Sequence, residues 1–313
     1  MKRLLGVLAL AASAGLAQGQ LVVGNDQSGT ATIYYIDVAS GAATPLYSAT
    51  TTDAKPWGMA YDPATNTLYW NNGANLYSSP FSTESLTPTL LGGMTYNGAT
   101  VNFVGLAFRD GALLGTRNIT TEAVYRIDVE TREATLLYAY PTTFDFGGLD
   151  VDSTTGVLYG LSDSGSPRGI YSIDVAAQTT AFTGASPASD SDVDGLAVYD
   201  GTAYGVTDGN NTSQPNFYIF DLESGQQVGT LPSPFTGTGT FAAAAFIPPS
   251  GPTCDPDFNA DGNVDQDDIA CIAQVVGGDP TCASADPDFN RDGNVDQDDV
   301  AALEQVVAGA PCP

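Results

Sequence analysis

Two stretches near the C-terminus place aspartate and asparagine at a spacing that suits a hard metal ion. Residues 257–268 read DFNADGNVDQDD, and residues 288–299 repeat them as DFNRDGNVDQDD. Oxygen-bearing residues at loop positions 1, 3, 5, 9 and 12, with glycine at position 6 for the sharp turn, are typical of a calcium loop. Magnesium is less suited because it keeps several of its waters. The sequence therefore predicts two Ca²⁺ ions, one in each loop.

The predicted ligands occupy equivalent positions in the two loops. The residue at position 7 would offer its backbone carbonyl, and the valine at position 8 (Val264, Val295) should point inward. A single acidic run is usually a solvated surface, but two copies with every ligand position filled argue against that interpretation. The predicted ligands are Asp257, Asn259, Asp261, Asn263, Asp265, Asp268, Asp288, Asn290, Asp292, Asn294, Asp296 and Asp299.

A short amphipathic helix is predicted after each loop. Gly277 and Gly309 are expected to end these helices, and Pro256 and Pro287 block a helix that would lead into either loop. Apolar residues recur at helical spacing in both predicted helices. The apolar face of the first helix is formed by Ile269, Ile272, Val275 and Val276, and that of the second helix by Val300, Leu303, Val306 and Val307.

A tandem of loop-then-helix units with these ligands resembles the dockerin family, over residues 254–313. Aspartate at position 12 is itself typical of that family. The resemblance implies a non-catalytic, all-α module that calcium folds and that docks onto a cohesin domain. Well-known cellulosomal dockerins carry small hydroxyl residues at positions 10 and 11, and this chain departs from them. Its partner-binding residues would be Gln266, Asp267, Gln297 and Asp298.

All four cysteines lie in the same C-terminal part, at Cys254, Cys271, Cys282 and Cys312. An even count in a small exported module implies disulfides, and the spacing lacks the short Cys-x2–4-Cys pairs of zinc sites. Three connectivities are possible. The pseudo-twofold relation of the repeats favours Cys254–Cys312 with Cys271–Cys282.

Residues 20–247 repeat about every 45 residues, and each unit holds short runs rich in tyrosine, valine and isoleucine between turn residues. This pattern predicts an all-β, five-bladed β-propeller with four strands in each blade. The first unit starts at Leu21 without its opening strand, and a strand without a unit follows at residues 241–246. We expect this strand to close the ring, which would remove exposed sheet edges.

Two repeated side chains invite a functional interpretation but favour a structural one. The aspartate that ends each Tyr-x-Ile-Asp phrase should cap a tight turn, and the tyrosine that begins it should pack between blades. The aspartates are Asp37, Asp128, Asp174 and Asp221, and the tyrosines are Tyr34, Tyr125, Tyr171 and Tyr218.

Residues 1–19 combine a basic start, an apolar run and small residues at their end, which predicts a secretory signal peptide. The protein is therefore expected to be secreted or held at the cell surface without membrane insertion. Residues 248–253 are rich in proline and form a predicted linker. A formal net charge of -27 argues against nucleic-acid binding, and the absence of histidine excludes histidine-based catalysis and imidazole-bound zinc.

The sequence thus predicts a calcium-binding module that attaches a binding or scaffolding propeller to a cohesin-like partner, with a glycan or other ligand for the propeller. The alternative is an extracellular glycosidase of polysaccharide catabolism, tethered by its dockerin and dependent on carboxylates. Glu84, Glu122 and Asp145 lie outside the repeated phrases, but nothing distinguishes an acid from a base among them. Calcium could also serve stability alone, without a protein partner.

Overall fold

The computed structural model describes residues 19–26, 32–49, 54–117, 119, 122–141, 144–163, 167–186, 193–207, 216–235, 237, 239–249, 256–279, 281–282, 285, 287–290 and 294–310. These residues belong to two compact units, of which the first ends at Pro249. No helix among them is both long enough and apolar enough to span a lipid bilayer. Residues 1–18 of the predicted signal peptide and residues 250–253 of the predicted linker lie outside the described residues.

The first unit consists of five antiparallel blades, numbered along the chain. Blade 1 holds β1 (Gln20–Asn25), β2 (Ile33–Asp37) and β3 (Ala43–Tyr47), and blade 2 holds β4 (Gly58–Asp62), β5 (Thr67–Asn71), β6 (Asn75–Pro80) and β7 (Thr89–Gly93). After a hairpin of β8 (Thr95–Tyr96) and β9 (Ala99–Thr100), blade 3 holds β10 (Gly105–Arg109), β11 (Ala112–Thr116), β12 (Ala123–Ile127) and β13 (Glu133–Ala139). Blade 4 holds β14 (Phe146–Val151), β15 (Leu158–Ser162), β16 (Gly169–Asp174) and β17 (Thr179–Ala185), and blade 5 holds β18 (Val193–Tyr199), β19 (Thr202–Thr207), β20 (Asn216–Asp221) and β21 (Gln226–Pro232).

The last strand of the unit, β22 (Ala242–Ile247), completes blade 1. It pairs antiparallel with β1, in a register that runs from Gln20 opposite Ile247 to Asn25 opposite Ala242. The five-bladed propeller and its closure by a strand from the far end of the repeat region are therefore confirmed. The observed strand lies one residue later than the predicted span of 241–246.

The innermost strands approach one another closely because glycine, which has no Cβ atom, occupies the positions where they meet. A Cβ atom on Gly58 would lie 2.7 Å from the carbonyl oxygen of Val104, and one on Gly148 would lie 2.5 Å from the backbone nitrogen of Leu196. Distances this short exclude any larger residue. A glycine-led phrase of three residues recurs in these strands, at 58–60, 105–107, 148–150 and 195–197, and marks the strands that surround the propeller axis.

Five apolar clusters fill the spaces between neighbouring blades. Tyr125, Tyr171 and Tyr218 are buried in three of them, and Tyr34 packs against a fourth. Each repeated aspartate accepts hydrogen bonds from its own turn, for example from the backbone N–H groups of Ala39 and Ser40 to Asp37 Oδ1. The packing role of the tyrosines and the capping role of the aspartates are confirmed.

Blade 3 contains an addition that the repeat did not predict. The β8–β9 hairpin joins its outer edge, where β8 runs parallel to β13 and pairs Glu133 with Thr95. A parallel strand at this position covers an edge that would otherwise present unpaired backbone groups.

The second unit contains two helices of equal length, α1 (Gln266–Val276) and α2 (Gln297–Val307). Asp265 and Asp296 cap their N-termini, and each cap is reciprocated by the aspartate three residues later. The two helices pack on Phe258 and Phe289, whose ring centroids are 5.9 Å apart. The predicted apolar faces include the buried residues Ile269, Ile272, Val300 and Leu303.

Helix α1 ends at Val276 with Gly277 as its C-cap, as predicted, and the left-handed turn follows one residue later. Gly277 has right-handed backbone angles, whereas Gly278 adopts the left-handed conformation with φ of +95°. The N–H of Asp279 reaches the carbonyl of Gln274 in the bond that closes this type of helix end. Gly309 takes the corresponding left-handed position after α2, as predicted.

Candidate functional site

The first aspartate-rich loop is organised by hydrogen bonds from its own backbone. Asp257 accepts the N–H groups of Asp261 at 3.0 Å and Gly262 at 2.8 Å, one on each carboxylate oxygen. Asn259 and Asp261 accept further backbone N–H groups within the loop. Gly262 has φ of +89°, the left-handed conformation that favours glycine at the sharp turn. The loop therefore curls around the side chains that the sequence predicts as ligands.

A buried carboxylate joins this loop to helix α1. Asp268 is fully buried, and its two oxygens accept the N–H of Asn259 at 3.1 Å and the N–H of Asp265 at 2.8 Å. A buried charge is costly unless hydrogen bonds or a cation compensate it, and each carboxylate oxygen retains a second lone pair after one such bond. The position-12 aspartate thus fixes the start of the loop against the first helical turn.

The second loop repeats this arrangement in the part that the structure describes. Asp299 is also fully buried and accepts the N–H of Asn290 at 2.9 Å and the N–H of Asp296 at 2.8 Å. Asp288 and Asn294 are described as well, whereas the predicted ligand Asp292 lies outside the described residues. The two loop-and-helix repeats share one hydrogen-bond pattern at equivalent positions.

The position-8 valines do not point inward as the sequence predicted. Val264 is 46% exposed and Val295 is 45% exposed. Phe258 and Phe289, at position 2 of each loop, occupy the interior instead. Larger aromatic side chains fill this small core, so the valines remain at the surface.

The donor set matches a hard cation in its chemistry. Every predicted ligand offers oxygen, and the nearby thiols of Cys271 and Cys282 are joined in a disulfide and so cannot ligate a soft metal. Among the described residues, no group of three or more Asp, Glu or Cys side chains is arranged tightly enough to hold a metal ion. Oxygen chemistry therefore supports the calcium interpretation, while the arrangement of the side chains leaves it a prediction.

The predicted partner-binding residues lie at the start of the helices. Gln266 and Asp267 occupy the first turn of α1, Gln297 and Asp298 occupy the first turn of α2, and all four are exposed. Of the predicted disulfides, Cys271–Cys282 is present, with Cα atoms 5.7 Å apart. Cys254 and Cys312 lie outside the described residues.

A second group of carboxyls lies between blades 3 and 4, at the ends where β12 and β14 begin. Glu122 is 1% exposed, its Oε2 accepts the N–H of Phe146 at 2.9 Å, and its carboxyl shares a hydrogen bond with Asp145. Burial raises the pKa of Glu122 to about 8, and the carboxylates of Asp145 and Asp163 add to this effect. Burial also raises the pKa of Asp145, while the hydrogen bond from Glu122 opposes it. The buried carboxyl of Glu122 thus favours its protonated form near neutral pH.

Two tyrosines adjoin this pair. Burial, followed by the charge of Glu122, raises the pKa of Tyr140 well above its ordinary value. The ring of Tyr138 meets that of Tyr140 edge-on at 5.3 Å, and its hydroxyl is buried without a hydrogen-bond partner in the described residues. Glu122 and Asp145 lie outside the repeated phrases, and no sequence pattern predicted that they meet, whereas Glu84 is exposed elsewhere.

A third carboxyl, which the sequence analysis missed, bridges blades 4 and 5. Asp150 ends the glycine-led phrase of blade 4 at residues 148–150, where the other blades end the phrase with alanine, at Ala60, Ala107 and Ala197. Its Oδ2 accepts the N–H of Val198 at 2.7 Å, and burial raises its pKa to about 8. The break in the repeat was the signal that could have identified it.

Comparisons with known proteins show the fold alone. No protein-family model matches the chain, and no curated protein matches it. A chain in the crystal structure of a nidogen/laminin complex is 12% identical with a TM-score of 0.51, and the match covers 73% of this chain and 98% of that one. The crystal structure of TolB from Acinetobacter baumannii is 14% identical with a TM-score of 0.47, covering 75% and 68% of the two chains.

Proposed function

We propose that residues 254–313 bind two calcium ions and attach the propeller to a cohesin-like domain outside the cell. The observation that carries this proposal is the repeated connection between loop and helix through Asp268 and Asp299. Two copies of one hydrogen-bond pattern, each centred on a buried carboxylate whose oxygens keep lone pairs after accepting two N–H groups, favour a cation in each loop.

Calcium would couple the folding of this module to its function. Each loop carries four aspartates, at positions 1, 5, 9 and 12, and a cation would offset the mutual repulsion that opposes their convergence. The two helices bury few apolar residues, so the metal supplies a large share of the stability. The first turns of α1 and α2 would then be held in place for a partner.

Export is supported by two independent features. Residues 1–19 have the composition of a signal peptide, and the Cys271–Cys282 disulfide belongs to an oxidising compartment. The protein would therefore act as a secreted or surface-held binding or scaffolding protein, with the propeller as its displayed domain.

Calcium titration of the full chain by calorimetry tests the metal sites. We expect two bound ions, weak competition by magnesium, and the loss of one site in Asp261→Ala with the other site weakened. Asp267→Ala is the matched control, because it removes the same charge from an exposed position that is not a predicted ligand. No calcium binding, or equal losses in the two variants, would show that the loops are not calcium sites.

Attachment needs a separate measurement. A panel of cohesin domains can be tested for binding to the full chain by surface plasmon resonance, with calcium and with chelator. Because the two loops match at positions 10 and 11, changing Gln266 and Asp267 alone should leave binding through the second copy. Changing Gln297 and Asp298 as well should abolish it. If no cohesin binds the calcium-loaded protein, the attachment proposal is wrong even where the calcium sites are real.

The alternative of a propeller glycosidase gains no support from Glu122 and Asp145. Their carboxyls share a hydrogen bond, whereas the two carboxyls of a glycosidase stand at least about 5 Å apart on either side of the bond they cleave. Glu122 is also closed off from solvent within the described structure. We therefore assign the propeller a binding role.

A further inference from the structure

A groove crosses blades 2, 3 and 4 at the ends where β4, β10 and β14 finish. Its larger part is a cavity of about 820 Å³ between the turns of these blades, and a second cavity of about 410 Å³ continues along blade 4. Arg109 and Gly156 line both. Ligand sites of proteins commonly have volumes of this order.

One wall of the larger cavity is aromatic. Tyr69 and Phe108 lie with their rings parallel, at an interplanar angle of 1° and a centroid separation of 5.9 Å. The Tyr69 hydroxyl is protonated at neutral pH, and burial followed by the nearby Asp62 carboxylate raises its pKa further. This wall offers an apolar surface with a hydroxyl at its edge.

Two carboxylates of the groove, those of Asp62 and Asp128, accept hydrogen bonds within their own turns, whereas the guanidinium of Arg109 has only a long ion pair. Asp62 accepts hydrogen bonds from Ala64 and Thr65, and Asp128 accepts two from Thr131. Among the described residues, the one ion pair of Arg109 is with Asp110 at 3.9 Å, and that aspartate side chain is 93% exposed. Arg109 thus keeps hydrogen-bond donors available where the two cavities meet.

We propose that this groove binds a neutral oligosaccharide through Arg109 and the ring pair of Tyr69 and Phe108. A sugar hydroxyl both donates and accepts hydrogen bonds, so it satisfies a guanidinium and neighbouring carboxylates at once. The carboxylates of Asp62, Asp110, Asp128 and Glu130 would repel an anionic ligand, and a neutral ligand with hydroxyl oxygens can meet the Arg109 donors without that repulsion. This role is separate from the calcium loops, so either proposal can fail alone.

The test uses the full chain and four soluble hexasaccharides of glucose (β-1,4 and β-1,3), xylose and mannose, with binding measured by calorimetry. We expect at least one to bind, and Arg109→Gln to weaken it about tenfold, the effect of losing one or two hydrogen bonds from a charged donor. Arg168→Gln is the control, because Arg168 directly precedes β16 at the opposite strand ends of blade 4. Thermal unfolding of each variant checks that the propeller is intact.

Hydrogen exchange locates the bound sugar independently of the variants. The turns at residues 62–65 and 108–111 should become protected on addition of the hexasaccharide. The proposal is overturned if none of the four sugars binds, if Arg109→Gln and Arg168→Gln bind equally, or if protection appears elsewhere. If hexagalacturonate or tetralysine binds at these turns more tightly than the neutral hexasaccharides do, the proposal of a neutral ligand is wrong.

Discussion

The propeller should lose stability as the pH rises towards 8, and Glu122 should account for a defined part of that loss. Burial raises its pKa from 4.5 to about 8 in the folded protein. The folded state therefore holds a proton that the unfolded chain releases at a much lower pH. The stabilisation is fully present below about pH 4.5, and it is lost as the pH rises through the folded pKa.

The size of this stability loss follows from the shift in the pKa of Glu122. Each pKa unit corresponds to about 1.4 kcal/mol, so between roughly pH 5.5 and 8.5 the Glu122 share of the free energy of unfolding should fall by about 3 kcal/mol. Asp150 has a raised pKa of about 8 and contributes in the same direction. The wild-type protein should therefore show a steep slope to which both residues contribute.

Glu122→Gln isolates the first contribution. The amide oxygen can still accept the Phe146 N–H, and the amide N–H can donate to Asp145 as the protonated carboxyl does. We expect the variant to match the wild type near pH 5.5 and to be more stable than it near pH 8.5. Asp150 still titrates, so a smaller slope should remain.

Denaturant unfolding followed by tryptophan fluorescence measures this directly, because both tryptophans, Trp57 and Trp70, lie in the propeller. Glu84→Gln is the matched control, since it makes the same change at an exposed glutamate. Equal pH slopes in the wild type and in Glu122→Gln would refute the argument that the buried carboxyl holds its proton in the folded state.

Three further predictions concern closure, calcium and the disulfides. A chain ending at residue 251 should keep a cooperatively folded propeller, whereas one ending at residue 234 lacks β22 and should aggregate; similar thermal unfolding of the two would contradict the role of that strand. Chelator should remove the helical circular dichroism of the full chain but leave its tryptophan fluorescence unchanged, and a helical signal that survives chelation would count against calcium-coupled folding. Non-reducing mass mapping should find no free thiol and a Cys254–Cys312 link. Replacing Cys271 and Cys282 by serine should destabilise the module by about 2–3 kcal/mol, as expected for a short closed loop, and an unchanged unfolding curve would argue against that estimate.

The features that repeat were predictable, and the features that occur once were not. The blades, their glycine-lined inner strands and the closing strand follow from the period, because each unit must bury the same faces. The β8–β9 hairpin and Asp150 occur in single blades, so no second copy gave their pattern weight. Glu122 and Asp145 lie in different blades and meet only when the blades pack.

In the C-terminal loops, the features set by local sequence could be predicted, whereas those set by packing could not. Ligand spacing and helical periodicity are local properties, so the two helices and the aspartate caps could be predicted from the sequence. The exposure of Val264 and Val295 depends on which side chains fill a small shared interior, and Phe258 and Phe289 take that place. Which of two adjacent glycines turns left-handed after α1 depends on the hydrogen bonds at the helix end.

The place of β22 in the ring also constrains the order in which the chain can fold. The strand made last is the innermost strand of the first blade, so that blade stays incomplete until residue 247 has been synthesised and, if the protein is exported, translocated. Blades 2 to 5 consist of sequence neighbours and can form locally, whereas the pairing of β1 with β22 joins residues from the two ends of the propeller. Closing so long a loop is entropically costly and slow. Until that step, β1 keeps an open edge that could pair with another chain, so ring closure is the point at which folding competes with aggregation.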